Sequence, residues 1–205
     1  MKNELRQRWE TVFPEHEDVY HRIIEHYEAP WRVYHNRSHL EAVFQVLDNV
    51  FPAHQHDPAV NLALWFHDFI YEPCANGCEA MSANVLRFYG YNTLDLSPAV
   101  VEDAAVAVRE TDYLKEPSTL ISMVVSDCDL AILSEPDAVF KAYEAAVRAE
   151  YSMVSDPMFQ AGRTGILRSF LRKEHIYSRD EMRDRERQAR INVGASLHTL
   201  EKAVL

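Results

Sequence analysis

The chain has 205 residues, 47% of them apolar and 26% charged, with only 5 glycines and 9 prolines, a composition that excludes a disordered or low-complexity protein and predicts a single domain over 1–205. A formal net charge of -11 repels phosphate backbones and anionic lipid, so general nucleic-acid binding is excluded and a small-molecule partner is expected. No run approaches the roughly eighteen consecutive apolar residues of a membrane span, and the opening "MKNELRQRWE" has no signal-peptide core, so the expectation is no membrane and a cytoplasmic protein.

Helical periodicity dominates from end to end. Breaks at Pro30, Pro52 with Pro58, Pro73 with Gly77, Gly90 to Pro98, Pro117, Pro136 and Pro157 divide the chain into about eight helical segments, and the expected fold class is an all-α bundle. In "YHNRSHL", His35 and His39 are four apart and share a face if the helix already includes position 35; if Asn36 marks a late start, only His39 faces inward. The apolar positions Leu40, Val43, Phe44, Leu47 and Val50 then recur at helical spacing.

Next comes "ALWFHDFIYE", where apolar residues cover most of a helix around His67 and Asp68. An ionised carboxylate in such surroundings needs a partner, and a metal ion would satisfy both side chains, as would a structural ion pair. In "GCEAMSANVLRFYG", Glu79 and Ser82 lie three apart in an early helical turn, where Glu79 reads either as an acid or base or as a charge complementing the helix dipole. Ser97-Pro98 is a helix start, and "EDAAVAVRE" continues that helix.

In "MVVSDCDLAIL", Asp127 and Asp129 are roughly 200° apart on a helix, so one can face a shared centre while the other acts as a cap or supporting carboxylate. The segment "DAVFKAYEAAVRAEYSMV" is amphipathic, and the charge-rich tail from Ser178 reads as a solvated closing helix. Three cysteines cannot all pair within the chain, and Cys74 and Cys78 lack the second pair that a structural zinc site would need.

A histidine, a His-Asp pair and a distant aspartate, all in apolar helices, follow the order H…HD…D. The chain resembles the small predicted metal-dependent phosphohydrolases of the HD superfamily in six ordered blocks. These are Tyr34, His35 and His39; Ala63 to Asp68 with Tyr71; Glu79, Ser82 and Ala83; Asp127 with Asp129 to Leu133; Arg148, Glu150 and Tyr151; and Gly162, Arg163, Leu167, Phe170 and Leu171.

The resemblance implies an HD-domain-like helical bundle with His39, His67, Asp68 and Asp129 as metal ligands, and a phosphate ester, plausibly a nucleotide or small phosphorylated metabolite, as substrate. Such a nitrogen and oxygen set suits Mn, Fe, Co, Ni or Mg. Glu79 and Asp68 are then the candidate catalytic residues, with His35, Arg148 and Arg163 as candidate substrate contacts; the alternative for both arginines is to hold helices together through Glu150 and similar carboxylates. Two positions depart from the family pattern: Cys78 stands where relatives often carry an amide, and Leu114 where they often carry a histidine, which weighs against a second metal ion. The alternative function is a metal-containing ligand-binding or interaction protein without turnover.

Overall fold

The computed structural model describes residues 4–73, 75–113 and 116–202. Among them are ten α-helices and no strand: α1 (Glu4–Val12), α2 (Glu17–Tyr27), α3 (Arg37–Val50), α4 (Pro58–Phe66), α5 (Cys78–Asn92), α6 (Pro98–Glu110), α7 (Leu120–Leu130), α8 (Asp137–Glu150), α9 (Asp156–Arg172) and α10 (Arg183–Lys202). The all-α expectation holds, with ten helices where about eight were expected.

Both extra helices come from splitting the first and the last of the expected segments. The first segment splits around Pro14 and Glu15, whose φ of 69° is left-handed and cannot continue a helix. The last splits between α9 and α10, where side chains take over the role of helical carbonyls. Glu186 accepts from the backbone N–H groups of Ile176 and Tyr177, and Asp127 accepts from those of Ser178 and Arg179.

The position of α4 organises the rest. Its residues Ala59 to Phe66 are all buried, as a helix without a polar face must be, and it packs against α3, α5, α6 and α7. Asp57 caps its start by accepting from the N–H groups of Ala59 and Val60, and Pro58 sits at the first helical position. The buried apolar side chains form one cluster running from Leu5 to Val193.

The expected Ser97 cap on α6 is present, with its hydroxyl accepting from the N–H of Val100. The α5–α6 packing is close enough that a Cβ on Gly90 would lie 2.8 Å from a Val101 methyl. The closing helix α10 is more than a solvated strip. Ala189, Asn192 and Val193 are buried, and the Asn192 amide donates to the carbonyls of Leu133 and Glu135 at 2.9 and 2.8 Å.

Candidate metal centre

The His-Asp pair does not lie within a helix. Instead α4 ends at Phe66, His67 is its C-cap, and Asp68 stands in the turn beyond. The His67 Nδ1–H donates to the Leu64 carbonyl at 2.8 Å, satisfying one of the orphan acceptors at the helix end. That bond fixes the tautomer, so the neutral ring presents the Nε2 lone pair away from the helix.

Three side chains from three helices meet at that nitrogen. His39, in the first turn of α3, brings its Nε2 to 3.0 Å from His67 Nε2. Asp129, near the end of α7, places Oδ1 3.2 Å from His39 Nε2 and 3.8 Å from His67 Nε2. His39, His67 and Asp129 thus form a buried group able to hold a metal ion. Asp68 adds a carboxylate oxygen 3.2 Å from His67 Nε2 and 3.6 Å from His39 Nε2.

The donor set passes two physical tests as a cation site. Two nitrogens each about 2.1 Å from one ion and at right angles are about 3.0 Å apart, which is the imidazole separation found here. With neutral histidines the group also carries two buried negative charges, a burden that a divalent ion offsets. The same field acts on protons. Burial alone would push the His67 imidazolium down, but the Asp68 carboxylate and Asp129 outweigh it and raise the group to about 9. Burial likewise opposes ionisation of Asp68 and Asp129, yet the surrounding imidazoles hold both carboxyls below their ordinary value. The C-terminal end of α4 adds negative potential at the same place.

Side chains from distant segments hold this geometry. Buried Arg32 donates to the carbonyls of Asp68 at 2.8 Å and Phe69 at 3.0 Å, and also to that of His35. Ser82 accepts from the N–H of Ile70 and donates back to its carbonyl. Tyr113, at a left-handed φ of 55° that is unfavourable for a bulky residue, donates its hydroxyl to Asp129 Oδ2, leaving Oδ1 turned toward His39. Arg32 and Tyr113 carry no sequence signal that marks them, because each acts through a contact remote along the chain.

His35 precedes α3, which starts at Arg37 with Asn36 as N-cap, so the late helix start is the one adopted. Its Nδ1 lies 2.7 Å from Glu150 Oε2, which also accepts from the Tyr71 hydroxyl at 3.1 Å. The other Glu150 oxygen accepts from the backbone N–H groups of Tyr34 and His35 at 2.8 and 2.9 Å. The His35 ring packs on Tyr71 at 4.0 Å and edges His39 at 5.7 Å.

A cavity of about 740 Å³ opens over the group, bordered by His35, His67, Asp68 and Asp129. Glu79, in the first turn of α5, borders it too and has no hydrogen bond or ion pair among the described residues. Arg163 also lines it, buried and paired with Glu144 and the Tyr143 hydroxyl rather than with Glu150.

Arg148, also expected as a substrate contact, is not among the residues that line this cavity. Its guanidinium donates to the carbonyls of Tyr151 and Val154 and pairs with Asp156, clasping the α8–α9 turn away from the cavity. Asp127 points away from Asp129, as their helical spacing requires, and holds the backbone of 178–179. Cys78 is buried with its thiol 3.8 Å from the Glu72 carbonyl, while Cys74 and Leu114 lie outside the described residues.

No family model, curated protein or solved structure matches the chain.

Proposed function

We propose that the protein is a metal-dependent phosphohydrolase of HD type that cleaves a small phosphate ester. The observation that carries this reading is the meeting of His39, His67 and Asp129, with Asp68 against both imidazoles, beside a cavity large enough for a metabolite that His67, Asp68 and Asp129 line. These four residues would hold one Mn, Fe, Co, Ni or Mg ion. A divalent ion there would supply positive charge to a phosphoryl oxygen and acidify a water for attack.

The chain's own groups account for the remaining chemistry. Glu79, whose carboxylate has no ion pair among the described residues, borders the cavity where it could take up or deliver a proton. Glu150 fixes the His35 ring by its Nδ1, so that Nε2 is the nitrogen left to contact a phosphoryl or ester oxygen. Tyr113 and Arg32 position Asp129 and the Asp68 backbone.

The test is phosphate release by purified protein loaded with each divalent metal, over a broad panel of phosphomonoesters and nucleotides. Turnover of at least one ester, lost in both His67→Ala and Asp68→Ala, is expected. Activity retained in both variants overturns the assignment, and firm metal and ligand binding without turnover would instead identify a binding protein.

A further inference from the structure

The cavity beside the metal centre has walls whose chemistry bears on the substrate. Leu133, Val147, Val154 and Phe170 supply aliphatic and aromatic surface, and Tyr143 joins the lining beside Tyr34 with their rings 4.5 Å apart. The apolar wall continues to the rim, where Met158 is 70% and Ile166 47% exposed although both line the cavity. Apolar side chains left open at the mouth of a cavity are what an apolar ligand would cover.

Charge on the same walls is sparse and already opposed. Among the described lining residues the guanidinium groups are those of Arg163 and Arg172, and Arg163 is paired with Glu144. Asp68, Glu79 and Asp129 face the same space. A ligand with several phosphoryl groups would meet carboxylates with little cationic surplus to offset them.

Two glycines complete the pattern. Gly162 and Gly165 lie three apart in the middle of α9, both line the cavity, and a Cβ on either would meet nothing within 4 Å. Glycine inside a helix is destabilising relative to alanine. Neither position needs glycine for close packing or for positive φ, so the space they leave open is itself the feature to explain.

We infer that the cavity takes a phosphomonoester with a single phosphoryl group on a bulky, uncharged, largely apolar or aromatic alcohol. This rests on the proposed phosphohydrolase site for placing the phosphoryl end, and adds the class of leaving group.

The test is isothermal titration of Mn-loaded full-length protein with 1-naphthylmethylphosphonate, methylphosphonate and the bisphosphonate isostere of fructose 1,6-bisphosphate. The naphthyl ligand should bind at least about tenfold more tightly than either other ligand, a gap of about 1.4 kcal/mol. Gly165→Leu, which projects a side chain into the open space, should collapse that ratio while its metal content shows that the fold stands. A preference for the bisphosphonate, equal affinities, or a ratio untouched by Gly165→Leu overturns the inference and leaves the phosphohydrolase reading intact. Absence of all phosphonate binding, with phosphate release insensitive to His67→Ala, overturns both.

Discussion

Glu150 ties the loop before α3 to the end of α8, and its removal can be worked through from the four hydrogen bonds it accepts. In Glu150→Ala the N–H groups of Tyr34 and His35 lose their acceptor, at about 1–3 kcal/mol each where they stay dry. The His35 ring and Tyr71 hydroxyl border the cavity and can recover water. The net loss should be about 3–5 kcal/mol, a large share of the ~5–15 kcal/mol by which domains are stable. Glu150→Gln keeps one oxygen for the two N–H groups and should lose about 1–2 kcal/mol.

The pH dependence separates charge from shape. Burial would push the Glu150 carboxyl up, but the His35 ring and the two N–H groups outweigh it and hold the carboxyl below its ordinary value. The carboxylate's contribution is therefore full above the unfolded value of about 4.3 and is lost as pH falls through the lower folded value. Urea unfolding of wild type and both variants from pH 8 downward should show a constant gap between wild type and Glu150→Gln that narrows only below about pH 4. An Ala variant within about 0.5 kcal/mol of wild type, or a gap that closes near neutrality, would refute the reasoning.

Metal binding should be visible as stability: at a hundredfold excess over Kd an ion adds about 2.7 kcal/mol, or about 5–10 °C in Tm for a chain of this size. Scanning calorimetry with Mn and with EDTA should show that shift for wild type and Asp127→Asn and lose it in His39→Ala and Asp129→Asn; a wild type indifferent to EDTA counts against the site. Tyr113→Phe removes the donor to Asp129 Oδ2 and should weaken metal affinity by about tenfold in chelator competition, whereas unchanged affinity would mean Asp129 is oriented without it. Gly90→Ala places a Cβ 2.8 Å from Val101 and should lower unfolding stability by about 1–3 kcal/mol, measured in urea.

Where local chemistry decides structure, the sequence is legible. Pro58 after Asp57 and Pro98 after Ser97 mark helix starts by the physics of caps, and both helices begin there. The break between α9 and α10 has no such mark. It is held open by Glu186 and by Asp127, about fifty positions earlier in the chain, so no local window contains its cause. Arg148 is the converse case: only a resemblance makes it a candidate substrate contact, and its guanidinium closes the turn that follows it.

The same distinction governs the centre itself. Periodicity puts His67 and Asp68 inside a helix. The helix stops at Phe66, and its terminal carbonyls and the chain beyond are satisfied by other means: His67 itself at Leu64, Arg32 at Asp68 and Phe69, and Ser82 at Ile70. Arg32, thirty-six positions before Asp68, and Ser82, fourteen after it, therefore hold the backbone that follows the dipeptide. The identity of the donor groups is a local property of the sequence, while their convergence is a property of the fold. A change at Arg32 or Ser82 should accordingly disturb metal binding without altering any of the four side chains proposed to hold the ion.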